Sequence, residues 1–146
     1  MWADTKGKLM KRPTVTDEIV REAVKTTLRN VDDDEVDAIV KIYSHPMDGY
    51  KIARALEDEI GDDYTIEDAI DFDVIGDQVS RLLYCLEDLW VKENNIQPPF
   101  PNGTKIRQGV IHDVSMHHHA TYRVAEHQNL IPNSFLLVKF ENAVAV

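Results

Sequence analysis

Gln97-Pro98-Pro99-Phe100-Pro101-Asn102-Gly103 decides how this chain is read. Its three prolines fix φ and remove backbone donors, so no helix runs through the stretch, and Gly103 permits a sharp turn directly after it. Before these residues, apolar positions recur at helical spacing; after them, they alternate as in strands. The charge changes at the same place. Residues 13–96 hold 8 Lys and Arg against 22 Asp and Glu, a net charge of −14, whereas residues 97–146 hold 4 against 3 and residues 1–12 hold 4 against 1. The reading is therefore a basic N-terminal tail (1–12), an acidic helical region (13–96), a Pro-rich linker (97–103) and a small β region (104–146).

Four amphipathic segments fit into 13–96. Thr14 with Asp17 has capping-box spacing, and Val20, Val24, Leu28 and Val31 follow on one helical face. Asp32 with Glu35 caps a second helix carrying Val36, Ile39, Val40 and Tyr43; it ends at Ser44-His45-Pro46, because the residue before a proline is pushed out of the α region. Asp48 starts a third with Ile52, Ala53, Leu56 and Ile60, and Gly61 is a left-handed stop. Thr65 with Asp68 caps a fourth. Its stripe is expected to break near 73–76 and to restart as Val79, Leu82, Leu83, Leu86, Leu89 and Trp90, with Trp90 in the core. Short connections between four such helices describe a small bundle.

Beyond the linker, 104–114, 120–126 and 134–140 read as three strands, the last apolar enough to be central, with room for a fourth in 141–146 and turns at 116–119 and 130–133. The fold class is thus α+β: an N-terminal acidic bundle of about four helices, then a small antiparallel sheet or SH3-like barrel. A β region this small needs support from the helices or from a second copy of the chain, so a homodimer is a possible state.

Composition removes several functions. The 146 residues are 43% apolar and 29% charged, enough for a real core. A net charge of −10 and a pI near 4.9 argue against direct nucleic-acid binding and against an anionic membrane surface. No apolar run reaches the roughly 18 residues of a transmembrane helix. The opening MWADTKGKLMKRP lacks the apolar run of a secretory leader. The one cysteine, Cys85, lies in the apolar run LLYCLEDLW and is expected as a buried thiol in a reducing cytosol, which makes a cytoplasmic chain the expectation. Walker, GxGxxG, GxSxG and CxxC patterns are absent from the sequence, and no cofactor is expected.

Between Arg54 and Arg81 there is no Lys or Arg but ten acids: Glu57, Asp58, Glu59, Asp62, Asp63, Glu67, Asp68, Asp71, Asp73 and Asp77. Like charges at this density repel, and a surface selected for solubility alone usually intersperses bases. They read as a partner-binding surface for a basic protein; the plain alternative is a solvated helix face with acids favoured near helix N-termini. Asp71, Asp73, Gly76 and Asp77 follow part of an EF-hand loop, but Ile75 and Leu82 replace required ligands.

Five of the six histidines fall between 112 and 127. His112, His117 and His119 could converge across a hairpin as zinc ligands, against the simpler reading of an exposed polar turn. Lys51 and Arg54 have the rhythm of a recognition helix, which the acidity of the region opposes. Asp113, Ser115 and His117 are triad-like in type only, being neighbours in one segment.

Pro46-Met47-Asp48-Gly49-Tyr50-Lys51-Ile52-Ala53-Arg54-Ala55-Leu56 and Trp90-Val91-Lys92-Glu93-Asn94-Asn95-Ile96-Gln97-Pro98-Pro99 resemble segments of small accessory proteins of phages and prophages. The resemblance covers about a quarter of the chain and carries over no catalytic residue. It implies a setting in which such a protein binds and blocks one host protein, for example a nucleic-acid-handling defence enzyme. Three functions follow as expectations: a non-enzymatic inhibitor of a basic host protein acting through the acidic helices, a metal-dependent enzyme or sensor built on His112, His117 and His119, and a self-associating structural protein.

Overall fold

The computed structural model describes residues 11–127 and 134–146. They form four helices followed by a four-stranded antiparallel sheet curled into a half-barrel, an α+β chain with an N-terminal helical bundle. The chain divides into two compact units, one of Pro13–Leu86 and one containing Glu87–Val146 and Arg12, and each has its own apolar cluster.

In the helical unit, α1 (Asp17–Thr27) begins at Thr16, whose side chain accepts from the Ile19 amide at 3.3 Å. This corrects the expected cap at Thr14: starting at Thr16 puts Ile19, Val20, Ala23 and Val24 on the buried face. The other caps are those read from the sequence. Asp32 accepts from the Glu35 amide ahead of α2 (Asp33–Ile42), and Asp48 from the Lys51 amide ahead of α3 (Gly49–Ile60), both at 2.8 Å. Gly61 closes α3 at φ 86°. Thr65 and Asp68 exchange reciprocal hydrogen bonds at the start of α4 (Ile66–Glu93). Val36, Ile39, Ile52, Leu56, Ile75 and Val79 are fully buried between the four helices. Each such side chain contributes about 1.5–3 kcal/mol by leaving water.

The expected break near 73–76 does not occur; α4 runs unbroken for 28 residues. Phe72, Ile75 and Val79 carry the buried stripe straight through. At Gly76 a Cβ would lie 3.4 Å from the Met47 carbonyl oxygen and 3.6 Å from the Tyr43 hydroxyl, ordinary contact distances, so the glycine costs the helix only about 1 kcal/mol of propensity and does not stop it.

In the second unit, β1 (Lys105–Ile106), β2 (Gly109–Val114), β3 (Thr121–Glu126) and β4 (Leu136–Lys139) pair in chain order, all antiparallel. The segment expected as one strand over 104–114 is a hairpin that folds back between Ile106 and Gly109, a directly paired couple. The strand expected as central, β4, lies at the end of the strand order and buries only Val138. The expected fourth strand in 141–146 is instead a 3₁₀ turn (Phe140–Asn142) and a single bridge from Ala145 to Ile106. That bridge ties the chain end to β1, at the opposite end of the strand order from β4, and this curls the sheet. Ile106, Ile111, Tyr122, Val124 and Phe140 fill the concave side with Trp90 and Ile96. Phe100 anchors the proline segment: its amide donates to the Tyr122 hydroxyl at 2.8 Å, and its carbonyl accepts from it at 3.0 Å. The turn expected at 130–133 lies outside the described residues.

Arg12, read from the sequence as part of a basic tail, is built into this second unit. Its side chain is 7% exposed. It donates to Glu87 and to the His119 carbonyl, to the Ala120 carbonyl, and through two nitrogens to both Glu141 oxygens, all at 2.7–2.9 Å. Its guanidinium carbon lies 5.0 Å from the Trp90 ring centre.

Candidate binding groove and acidic surface

The ten acids lie on the C-terminal part of α3, the α3–α4 connection and the first half of α4, and all are exposed except the half-buried Glu57 and Asp68. Four have local structural roles. Asp68 caps α4, Asp73 accepts from the Gly49 amide at 3.0 Å, Glu57 accepts from the Tyr64 amide at 3.4 Å, and Glu59 pairs with Lys41. The carboxylates of Asp58, Asp62, Asp63, Glu67, Asp71 and Asp77 make no hydrogen bond or ion pair among the described residues.

The fold adds two acids that the sequence window left out. The Glu35 carboxyl is held above its ordinary value, first by burial and then by Asp32, Asp68 and Asp62. The Tyr64 hydroxyl is raised by burial first, and then by Glu35, Asp62, Asp68 and Asp32. The N-termini of α2 and α4 thus bring their acids together around Tyr64. Helix dipoles favour carboxylates at both ends, which explains how the fold tolerates them. The run Asp32-Asp33-Asp34-Glu35 was a visible signal for this extension.

Beside these acids, α3 and α4 enclose a groove of about 520 Å³. Tyr50 and Ala53 line it from α3, and Ile66, Ala69 and Ile70 from α4, with Asp48, Glu57 and Asp73 also on its walls. Large apolar side chains stand open to solvent here: Ile66 is 77% exposed, Ile70 63% and Tyr50 62%, and Val74, one turn further along α4 and outside the lining, is 50% exposed. Arg54 is the one cation in the lining among the described residues. It donates to the Tyr50 hydroxyl at 3.0 Å, and its guanidinium carbon lies 5.8 Å from that ring's centre.

A second, more polar cleft of about 400 Å³ contains His45, Lys51, Asp77 and Ser80. His45 Nδ1 lies 2.6 Å from the Tyr43 hydroxyl and Nε2 lies 3.2 Å from Ser80 Oγ. This Ser–His–Tyr chain has the order of a nucleophile, base and orienting group. Ser80 sits inside the unbroken α4, however, where backbone amides are already hydrogen-bonded along the helix and none is aimed as an oxyanion donor. The contacts with Tyr43 and Ser80 orient the His45 ring.

The histidine cluster does not converge. Asp113 and Val114 pair with Arg123 and Tyr122, so the segment containing His117 and His119 lies beyond the paired rungs and His112 is not opposite it. His112 stacks on Phe135 at 4.7 Å. Ser115 Oγ holds the turn by accepting from the His117 and His118 amides. No group of three or more His, Cys, Asp or Glu able to hold a metal occurs among the described residues. Asp113 is paired through both oxygens with Arg123, which holds its carboxyl below the usual range, so the triad-like Asp113, Ser115 and His117 do not act together.

Cys85 is exposed, not buried as expected, because it sits off the Ile75–Val79 face of α4. A thiol reagent such as Ellman's should therefore titrate one group in the native protein without denaturant; a thiol that reacts only after unfolding would contradict this placement. No helix among the described residues is long and apolar enough to cross a membrane. No family model, curated protein or solved structure matches the chain.

Proposed function

We propose that this is a non-enzymatic acidic binding protein that engages a basic, nucleic-acid-handling host protein through its helical surface, in the manner of a phage accessory inhibitor acting in the host cytosol. The observation that carries the reading is the stretch from Arg54 to Arg81, which has ten acids and no base and is extended by Asp32 and Glu35 around Tyr64. Like charges at this density repel, and a cationic partner relieves that repulsion. Complementary fields speed encounter and discriminate against acidic competitors.

Affinity capture from the host at low salt, followed by titration of the recovered partner, tests it. Raising salt to physiological strength shortens the screening length to about 8 Å and should weaken the complex roughly tenfold or more. Asp62→Lys with Asp63→Lys should cost at least as much at low salt while leaving the helical circular-dichroism signal intact. A failure to recover any basic partner at low salt, or unaltered affinity in the double variant, overturns the proposal.

A further inference from the structure

The groove between α3 and α4 has features that charge alone does not explain. Ile66, Ile70 and Val74 are four residues apart, so they form a single row over about 12 Å of α4. This row is separate from Phe72, Ile75 and Val79, which are buried in the bundle. The first half of α4 thus has two apolar faces, and among the described residues only one is covered. Tyr50 on α3 lines the same groove as Ile66 and Ile70, and Val74 continues the row one turn past that lining.

The groove cannot simply close. Gly49 brings the start of α3 against α4, where its Cβ position falls 1.8 Å from the Ala69 carbonyl oxygen, and its amide is fixed to Asp73. The two helices are pinned at that point. Acids flank every turn of the row: Glu67 follows Ile66, Asp71 follows Ile70, and Asp73 precedes Val74.

We infer that this groove is the docking site for a basic amphipathic helix of the partner. This inference rests on the acidic-binding function proposed above and specifies its contact. A helix offers apolar residues at spacings of three and four that match the row, and two turns cover its length. Lysines and arginines on its flanks meet the acids at the rim. Arg54 already lies against Tyr50, showing how a cation is accommodated there. A second copy of this chain is a poor occupant, because each carries a net charge of −10. A small apolar molecule would have no use for the rim.

The test uses the full chain and two synthetic peptides of about 18 residues, ~27 Å as helices. Both contain the same leucines, lysines and arginines. In one the leucines lie on a single helical face; in the other they are scattered. The ordered peptide should bind roughly tenfold more tightly, gain helical signal on binding and shift the methyl resonances of Ile66, Ile70 and Val74. Ile70→Ser with Val74→Ser changes only exposed positions and should erase that tenfold advantage while leaving the scattered peptide's weak binding unchanged.

Equal binding of both peptides, with sensitivity only to Asp62→Lys and Asp63→Lys, overturns the groove and leaves the acidic surface standing. Binding of the ordered peptide without helical gain, or with shifts confined to another face, also overturns it. If neither peptide binds at low salt, the groove inference and the acidic-surface reading both fail.

Discussion

Replacing Arg12 with methionine is expected to destabilise the β-containing unit by about 3–5 kcal/mol, the range for removing one partner from a buried ion pair. Methionine keeps most of the apolar stem and the volume over Trp90, so the loss reports the guanidinium itself. Glu87 and Glu141 would remain without their cation, and the His119 and Ala120 carbonyls without a donor. Unfolding followed by Trp90 fluorescence, in a Trp2→Phe background so that one indole reports, measures the effect. The pH profile adds a second readout. Burial alone would raise the Glu141 carboxyl, but the hydrogen bonds and charge of Arg12, helped by a backbone amide and by Lys139, outweigh it and hold the group below its ordinary value of 4.5. A depressed carboxylate contributes stability that is fully present above the unfolded value and is lost as pH falls through the folded one. Wild-type protein should therefore lose stability more steeply than Arg12→Met on acidification below about pH 4.5. A variant as stable as wild type, or one with the same acid limb, would show that Arg12 is not the staple of this unit.

Arg12 also shows where sequence reading reaches its limit. Its partners lie 75 to 129 residues away, and nothing around Lys11-Arg12-Pro13 distinguishes it from a solvated base. The caps at Asp32, Asp48 and Thr65 and the stop at Gly61 were legible because their partners are within three or four residues. Gly76 suggests a break because glycine weakens a helix by about 1 kcal/mol, but burial of Phe72, Ile75 and Val79 on one face outweighs that cost and carries α4 through it. The apolar content of β4 suggested a central strand, but composition records hydrophobicity and not the number of neighbours, and the order β1-β2-β3-β4 leaves β4 at an end. Cys85 was misplaced for a related reason. An apolar run of nine residues along a helix points in every direction, and only one side meets the core.

The candidate site divides along the same line. The acids were legible, since a deficit of bases over 26 consecutive positions needs no structure to be seen. The run Asp32-Asp33-Asp34-Glu35 is equally visible, but that Asp32 and Glu35 join the same cluster is not, because it depends on the N-termini of α2 and α4 meeting around Tyr64. The row Ile66, Ile70 and Val74 was present in the sequence at a clear spacing, yet the core stripe of the same helix competes with it for attention. Only the placement of α3 shows which of the two rows is left uncovered.

Gly49→Ala separates helix propensity from helix packing, and the two point in opposite directions. Alanine is favoured over glycine by up to about 1 kcal/mol in a helix interior and by less at the first helical position that Gly49 occupies, so local preference alone would predict a small stabilisation. The added Cβ, however, would lie 1.8 Å from the Ala69 oxygen and 2.6 Å from the Asp73 nitrogen, both backbone atoms that cannot rotate away. Either α3 moves off α4, giving up buried contacts of Ile52 and Ala53 and the Gly49–Asp73 hydrogen bond, or the first turn of α3 unwinds. The helical unit is therefore expected to lose about 3 kcal/mol, at the upper end for overpacking. Gly61→Ala is the control: nothing lies within 4 Å of its Cβ position, so it should cost only the roughly 1–2 kcal/mol of a left-handed residue. Denaturation followed by far-ultraviolet circular dichroism compares the two. Because the acids are unchanged in Gly49→Ala, weak salt-dependent binding of the scattered peptide should persist while the advantage of the ordered peptide disappears. A Gly49→Ala protein as stable as wild type, with the ordered peptide still preferred, would mean that α3 and α4 do not meet at this glycine and that the groove is not held open by it.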